Sequence, residues 1–484
     1  MSNDPTHQSV IDVIYAHARA LAGDGTPDEV GPVVPARPAA ACVLWRNAPV
    51  PEGVEIYMVQ RAASLAFMGG FWTFPGGAVD PGDAGFEAAG ARELAEEVGV
   101  EGLGGLVDGG RWITPAFSPL RFDTRYFLVE LPAGAAADWQ CSGGELADGA
   151  WASPSQILER WASGTWLVPA PVVRAIEALR PGLEGASARL VHAAAIENDA
   201  PRSFDLMPGI SLSPLRTPTL PPATHTNCYL FGTGEMIAID PASPYPDEQR
   251  ALDEALDALA AAGRHVVEIW LTHHHRDHVG GAMHLSERLG VPIAAHRETI
   301  ERLAGQVPIT RVLDDGDSRD LRGPSPRRVR AVFTPGHAPG HLCFLEEETG
   351  VMAAGDMVAG VGTILIDPSE GDMSAYLASL RRMRELGPRV LLPAHGVAIS
   401  AVAEKLDGYV EHRLWREARV IEALREHGPA SSTELVAWVY ADVSPALFPL
   451  AERSLLAHLD KLLAEGIATR AAGNLFGALC APLL

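Results

Sequence analysis

Residues 272–278 read Thr-His-His-His-Arg-Asp-His, and no other stretch constrains this chain so strongly. On an extended segment, side chains two positions apart point the same way, so His273 and His275 face one side, with Asp277 and His278 on the turn beyond. Imidazoles and a carboxylate crowded at one strand end fill a core poorly. They begin a two-metal site well, because Zn²⁺ takes His nitrogen and Asp oxygen at roughly 2.0–2.2 Å.

Downstream the chain supplies further donors. Thr334-Pro335-Gly336-His337 follows the β-rich stretch 329–333. Gly355-Asp356 follows the apolar run 350–354, and Pro393-Ala394-His395-Gly396 follows the apolar run 390–392. Each candidate sits on the loop leaving an expected strand, where active-site groups gather in layered α/β folds. The bland alternative is a scatter of surface histidines, and the recurrence at one strand end after another argues against it.

On these residues, the segment 205–398 resembles the metallo-β-lactamase-fold hydrolases. The resemblance implies an αββα sandwich and a dinuclear centre. In it His273, His275 and His337 would hold one metal, Asp277, His278 and His395 the second, and Asp356 would bridge them. Two Zn²⁺ ions are expected, although imidazole and carboxylate also suit Fe and Mn²⁺. Cations about 3.5–4 Å apart bring the pKa of a shared water towards neutral, so no Ser or Cys nucleophile is needed. Asp277 would also orient that water. His341 ends a Thr-Pro-Gly-His-x-x-Gly-His run similar to that of glyoxalase-II-type members. It is not a family metal ligand, and the sequence leaves open whether it gives a proton to substrate or only supports the site.

A second signature lies nearer the front. Phe74-Pro75-Gly76-Gly77 opens a stretch that ends in Arg92-Glu93-Leu94-Ala95-Glu96-Glu97-Val98-Gly99. Its tail reads as a helix stopped by Gly99. Glu93, Glu96 and Glu97 share one helix face, and Arg92, four residues before Glu96, can steer it. A solvated acidic face is the plain alternative. The segment resembles the Nudix box, which implies a mixed sheet between helices and Mg²⁺ or Mn²⁺ on Glu93, Glu96 and Glu97, with Glu97 also catalytic. Gly77 matches the loop glycine and Arg92 the motif arginine. Asp83 stands where the family has Glu, and the gap from Asp83 to Arg92 is longer by one residue than the common pattern. Phe67-Met68-Gly69-Gly70, Thr114-Pro115, Glu145 and Trp151 are similar to the coenzyme-A diphosphatase-like branch. Arg121 and Arg125 are candidates for binding substrate phosphates. Pairing with Asp123 or Glu145 is the structural alternative.

The expected organisation is multidomain α+β. An N-terminal helix and linker (1–38, the helix over 9–21) precede a Nudix α/β/α sandwich (39–182). A linker (183–204), in which Leu190-Val191 begins a strand, leads to a metallo-β-lactamase αββα sandwich (205–400). In that unit a strand pair turns around Gly232-Thr233-Gly234, and a helix over 249–262 feeds a strand over 266–271. The last part (405–484) has a charged helix over 409–425, a capping box at Ser431 and Glu434, a third helix over 450–465 and a hairpin at Gly473-Asn474. It resembles a winged helix. With its start at Tyr409, His412, Arg413, Arg416 and Glu417, it is similar to the tail of lactamase-beta-2-like proteins, a group that includes single-strand endoribonucleases. The third helix carries Arg453, His458 and Lys461 against Glu452, Asp460 and Glu465. That is not a basic face, so packing, a lid or dimerisation is expected rather than groove reading.

Composition narrows the function. The 484 residues carry a net charge of −23, which excludes non-specific DNA binding through phosphate attraction. The 5 cysteines are odd in number and scattered, as in a reducing cytoplasm. No apolar run reaches membrane length. The expected protein is a cytoplasmic metal-dependent hydrolase acting on an ester, thioester or phosphodiester. Its substrate is a small phosphorylated metabolite, coenzyme A derivatives among the candidates, and the Nudix unit cleaves nucleoside diphosphate-linked compounds. The alternative is an endoribonuclease cutting single-stranded RNA, with a Nudix unit that only binds nucleotide. A homo-oligomer is left open.

Overall fold

A computed structural model describes residues 34–65, 68–116, 118, 120–198, 203–220, 222–360, 362–471 and 474–478. The helix expected over 9–21, most of the first linker, Phe67 and Gly473 lie outside these residues.

The front unit is a mixed sheet of β1 (Arg37–Asn47), β2 (Val54–Arg61), β3 (Trp72–Thr73), β4 (Gly76–Ala78), β5 (Val107–Ile113), β6 (Phe122–Glu130) and β7 (Leu146–Ala152). Its central path runs β3-β2-β1-β6-β5, with β1 and β6 parallel and the other pairs antiparallel. Both faces are covered. Cys42, Leu44, Val59 and Val129 pack with Leu94 and Val98 of the Phe86–Val98 helix, while Val43, Met58 and Tyr126 face the Pro154–Ala162 and Ala170–Leu179 helices. Alternating positions of β1 are therefore apolar on both sides, as a strand between two layers requires.

Residues expected to form a connection, including a strand at Leu190-Val191, are instead a helix, Ala186–Asn198. Ala186, Leu190 and Ala194 are buried in the same core as Trp112 and Tyr126. The small residues at this face let the helix lie close on β5, where a side chain at Gly110 would meet the Ala194 Cβ at 3.0 Å. Tertiary packing overrides a segment whose own amphipathic pattern is weak.

The central unit has two facing sheets. One runs β8 (Phe204–Met207), β9 (Ile210–Arg216), β10 (His225–Phe231), β11 (Glu235–Ile239), β12 (His265–Trp270), β13 (Ile293–Ala295) and β14 (Arg311–Val312), paired in that order. The other runs β15 (Ser318–Leu321), β16 (Arg327–Phe333), β17 (Leu342–Glu346), β18 (Val351–Gly355) and β19 (Val390–Pro393). Ile237, Ile239 and Trp270 from the first sheet meet Ala331, Phe344 and Leu392 from the second, and the rings of Trp270 and Phe344 lie 5.0 Å apart. Outer faces are covered by the Pro246–Ala261 and Ala282–Leu289 helices on one side and Met373–Leu386 on the other. This is the αββα sandwich. Phe71 and Leu167 of the front unit join its inner core, the Trp161 indole donates to the Leu206 carbonyl at 2.8 Å, and Arg389 donates to the Gly164 carbonyl at 2.6 Å.

A long helix, Val402–His427, leaves this unit and starts seven residues before the expected position, at Val402 rather than 409. Its first half packs on the hydrolase core through Val402 and Leu406, and its second half, through Val420 and Leu424, enters the winged-helix core. That core holds the Ser432–Val439 helix, opened by the Ser431–Glu434 capping box, the Phe448–Ala464 helix, and the antiparallel pair β20 (Ala468–Ala471) and β21 (Leu475–Ala478). The third helix is turned towards the body. Ala457 packs in the hydrolase core, and Arg453 pairs with Asp367.

Candidate metal centre

Every central candidate follows a strand. β12 ends at Trp270, and His273 and His275 lie on the loop before the short Arg276–Val279 helix, which carries Asp277 and His278. β16 leads to His337, β18 to Asp356 and β19 to His395. Glycine makes two of these exits possible. A Cβ on Gly336 would lie 2.2 Å from the Tyr376 amide nitrogen, and one on Gly355, whose φ is +50°, would lie 2.5 Å from His341 Nε2.

The loops converge. Donor atoms of His273, His275, His337 and Asp356 all lie within 4.8 Å of one another, as do those of Asp277, His278 and His395. Asp356 faces both groups. One oxygen, Oδ2, is 3.5 Å from His337 Nε2, while Oδ1 is 3.6 Å from His278 Nε2 and 3.4 Å from His395 Nε2. Asp277 Oδ2 is 3.6 Å from His395 Nε2.

The outer contacts orient the rings. His337 Nδ1 donates to the Leu365 carbonyl at 2.9 Å, and His395 Nδ1 to the His225 carbonyl at 3.0 Å. His278 Nδ1 meets Asp240 Oδ2 at 2.8 Å, and His275 Nε2 meets Glu370 Oε1 at 2.7 Å. In each case the other ring nitrogen turns inward. His275 Nδ1 then sits 2.8 Å from His273 Nε2 and 3.1 Å from His337 Nε2. Acceptors brought this close need a cation or a proton among them.

Protonation of the first group is disfavoured. Burial, reinforced by His278 and His275, holds His273 well below the ordinary histidine range, and burial with His275 brings His337 down to about 4. In the second group burial also opposes charge on His278, but Asp356 and Asp240 outweigh it and raise its pKa. The same exchange, through His395 and His278, outweighs burial at Asp356 and lowers its pKa. His278 Nε2 and Asp356 Oδ1 are buried with no hydrogen-bond partner. The donor set, the facing ring nitrogens and these unsatisfied atoms fit metal cations.

Three supporting residues had no sequence signal. Asp240 also accepts from the Thr272 amide at 2.8 Å and the Thr272 hydroxyl at 2.6 Å. Glu370 accepts from His274 as well as His275, and with them forms a third group of potential ligands. Leu365 acts through its carbonyl alone. Each lies on a loop far from its histidine in the chain, so only the fold brings them together.

His341 sits against the Asp356 amide. It is fully buried, its Nδ1 is 2.9 Å from the Thr334 hydroxyl, and its Nε2 accepts from the Asp356 amide at 3.2 Å. Burial and neighbouring His337 hold its pKa well below the ordinary value. A ring held at both nitrogens and closed to solvent supports the loop that presents Asp356.

At the front site, Glu97 is buried and accepts from the Gly76 amide at 2.8 Å. Burial, with some help from Glu93, pushes its pKa up to about 7. Burial likewise raises that of Glu93. A Cβ on Gly77 would lie 2.4 Å from Glu93 Oε1, so a side chain there would displace the Glu93 carboxylate. Arg92 bonds Glu93 and Glu96, each at 2.9 Å, and forks onto Asp83 at 3.2 and 3.0 Å. Asp83 is thus tied to Arg92. Among the described residues no convergent group of three potential ligands includes these glutamates, because Arg92 and Gly76 hold them apart and Glu96 is exposed.

Arg121 and Arg125 make local contacts in this structure. Arg121 spends Nε on the Thr114 and Pro115 carbonyls and Nη1 on that of Val34. Arg125 lies over the Phe86 ring at 5.9 Å. Nor do they take up Asp123, whose carboxylate pairs with Arg111 at 2.6 Å.

Fold and cage together define a metal-dependent hydrolase with a second, Nudix-type unit. Family models match accordingly: the metallo-beta-lactamase superfamily over residues 221–395, the NUDIX domain over 35–170 and the beta-lactamase associated winged helix domain over 431–474. The beta-lactamase-like protein 2 homolog of Caenorhabditis elegans is 31% identical over 251 residues, covering 50% of this chain and 80% of that protein. An atrochrysone carboxyl ACP thioesterase of Aspergillus fumigatus is 32% identical over 241 residues, covering 46% and 72%. The lactamase-like protein nscB of Trichophyton rubrum is 36% identical over 203 residues, and the match spans 42% of this chain and 58% of that protein. A beta-lactamase domain protein from Burkholderia ambifaria has the same fold, with a TM-score of 0.50 and 23% identity over 57% of this chain and 93% of its own. The chain belongs to the metallo-β-lactamase superfamily, and its relatives there are lactamase-beta-2-like. No described helix is long and apolar enough to cross a membrane.

Proposed function

We propose that the central unit hydrolyses a thioester of a small phosphorylated carrier, coenzyme A derivatives foremost, and that the front unit acts on a nucleoside diphosphate-linked metabolite. The observation that carries the hydrolytic reading is the set of inward ring nitrogens of His273, His275 and His337 facing Asp356. Two divalent transition-metal ions held by His273, His275 and His337 and by Asp277, His278 and His395, with Asp356 between them, would supply an activated water and polarise the scissile carbonyl.

The chain's own residues do the rest. Asp240, Glu370 and the Leu365 and His225 carbonyls fix the imidazole orientations. Asp277, partly open to solvent, orients the incoming water. In the front unit Glu93, Glu96 and Glu97 would hold Mg²⁺ or Mn²⁺ once Arg92 gives up its bonds to the first two.

A thioester is favoured over RNA by the thioesterase name of the Aspergillus relative, by the net charge of −23 and by the third winged-helix segment being packed against the hydrolase. The test is to supply the purified full chain, with Zn²⁺ or Mn²⁺, with acyl-coenzyme A and with single-stranded RNA. Thioester turnover that vanishes in His275→Ala, with about two transition-metal equivalents in the parent protein, is the expected result. RNA cleavage lost in the same variant, without thioester turnover, overturns the reading.

A further inference from the structure

Beside the cage lies a cavity of about 210 Å³, lined by Gly362 and Thr363 from the loop after Asp356, and by Lys405, Tyr409, His412 and Arg413 from the Val402–His427 helix. Consecutive residues tie it to the metal centre. The Ala359 amide donates to the Tyr409 hydroxyl at 3.0 Å, and the Gly360 amide to the His395 carbonyl at 2.8 Å. The wall of the cavity and a proposed metal ligand thus hang on neighbouring peptide units.

The charge is the unusual part. In a chain of net charge −23 with two lysines, the lining includes Lys405, Arg413 and a histidine, and no carboxylate. Lys405 is half-buried and has neither an ion pair nor a hydrogen bond among the described residues; its ammonium lies 5.3 Å from the centre of the Tyr409 ring. Burial alone lowers its pKa. Lys461, by contrast, is paired with Glu417 and Glu465. A desolvated ammonium without a counter-ion is costly, and a bound anion removes that cost. Arg413 is held rigid, since it donates to the Ile364 carbonyl and lies 5.6 Å from the centre of the Tyr376 ring. The cavity is smaller than the roughly 300–1,000 Å³ typical of sites for whole drug-sized ligands. It suits a charged end group of a substrate whose reactive bond lies elsewhere.

We infer that this cavity is an anion subsite that takes the phosphate group of the carrier, with Lys405 and His412 as the contacting side chains and the thioester directed into the neighbouring cage. This rests on the thioester reading above and adds the place where the carrier's phosphate is held.

Its test separates the two. Binding of 4′-phosphopantetheine and of pantetheine to the full metal-loaded chain is measured by calorimetry, in the parent and in Lys405→Met and His412→Gln, with thermal melts to confirm folding. At least tenfold tighter binding of the phosphorylated probe, lost in Lys405→Met and weakened in His412→Gln, is expected. Equal binding of both probes, or a phosphate preference untouched by Lys405→Met, overturns the subsite. A preserved phosphate preference without thioester turnover would reject the thioester reading and leave the subsite standing. Preference for single-stranded RNA over 4′-phosphopantetheine, with the same Lys405 dependence, rejects the small-carrier assignment.

Discussion

Asp240 Oδ2 lies 2.8 Å from His278 Nδ1, and both side chains are buried. The carboxylate holds the ring so that Nε2 turns into the cage. A supporting partner of this kind is worth roughly 10–100-fold in metal affinity or activity. Asp240→Ala is therefore expected to lose metal by that factor, seen as a weaker dissociation constant in chelator competition, with turnover falling in parallel. Retention of parental affinity would show that His278 needs no orienting partner.

The two hydrolytic units are expected to be separable. Glu97→Gln removes the charge of a buried carboxylate but keeps an acceptor for the Gly76 amide. Cleavage of nucleoside diphosphate-linked compounds should fall at least about 100-fold, the low end for loss of a positioned catalytic group. Acyl-thioester turnover and central-site metal content should stay unchanged. Loss of both activities together would mean that the units do not work independently.

The Ala186–Asn198 helix is a structural part of the front unit. Leu190 is fully buried, so Leu190→Ala is expected to cost about 2–5 kcal/mol, as for other large-to-small core changes. Chemical denaturation followed by tryptophan fluorescence reads this through Trp112, which shares the core. A change within about 0.5 kcal/mol, typical of surface positions, would return the segment to the linker first expected.

Acid should loosen the winged-helix unit. A hydrogen-bonded pair with Arg416, at 2.8 and 3.0 Å, brings the Asp442 carboxyl down to about 2. An unfolded Asp titrates near 3.9. The folded pKa is the lower one, so the contribution is complete above about pH 4 and disappears as pH falls towards 2. Asp442 is about half exposed, which limits the effect to about 1 kcal/mol or less. Denaturation series at pH 5, 4 and 3 should show this acid-dependent step in the parent and a smaller one in Asp442→Asn. Identical pH dependence in both would exclude the pair as its source.

The convergence of the central donors was largely legible in the sequence because they lie in short motifs on strand exits. His-x-His-x-Asp-His is local, and each later candidate donor follows a β-rich or apolar run that reads as a strand. Gly77 and Arg92 were legible for the same reason. For Arg121, Arg125 and His341 the sequence left two readings open, because a motif position does not say whether a side chain faces solvent. Arg121 donates to backbone carbonyls, and His341 is enclosed between Thr334 and the Asp356 amide.

Sequence by itself determined the ligand types, the strand-loop pattern that presents them and the order of the three units, since spacing and hydrophobic alternation are local properties of the chain. Tertiary structure alone decided which nitrogen of each ring turns inward, because Asp240, Glu370, Leu365 and His225 reach their histidines only across the fold. It also decided that residues 186–198 are a helix and that Lys405 stands without a counter-ion. Orientation, burial and missing partners are set by what packs around a side chain, and no window of neighbouring residues contains that information.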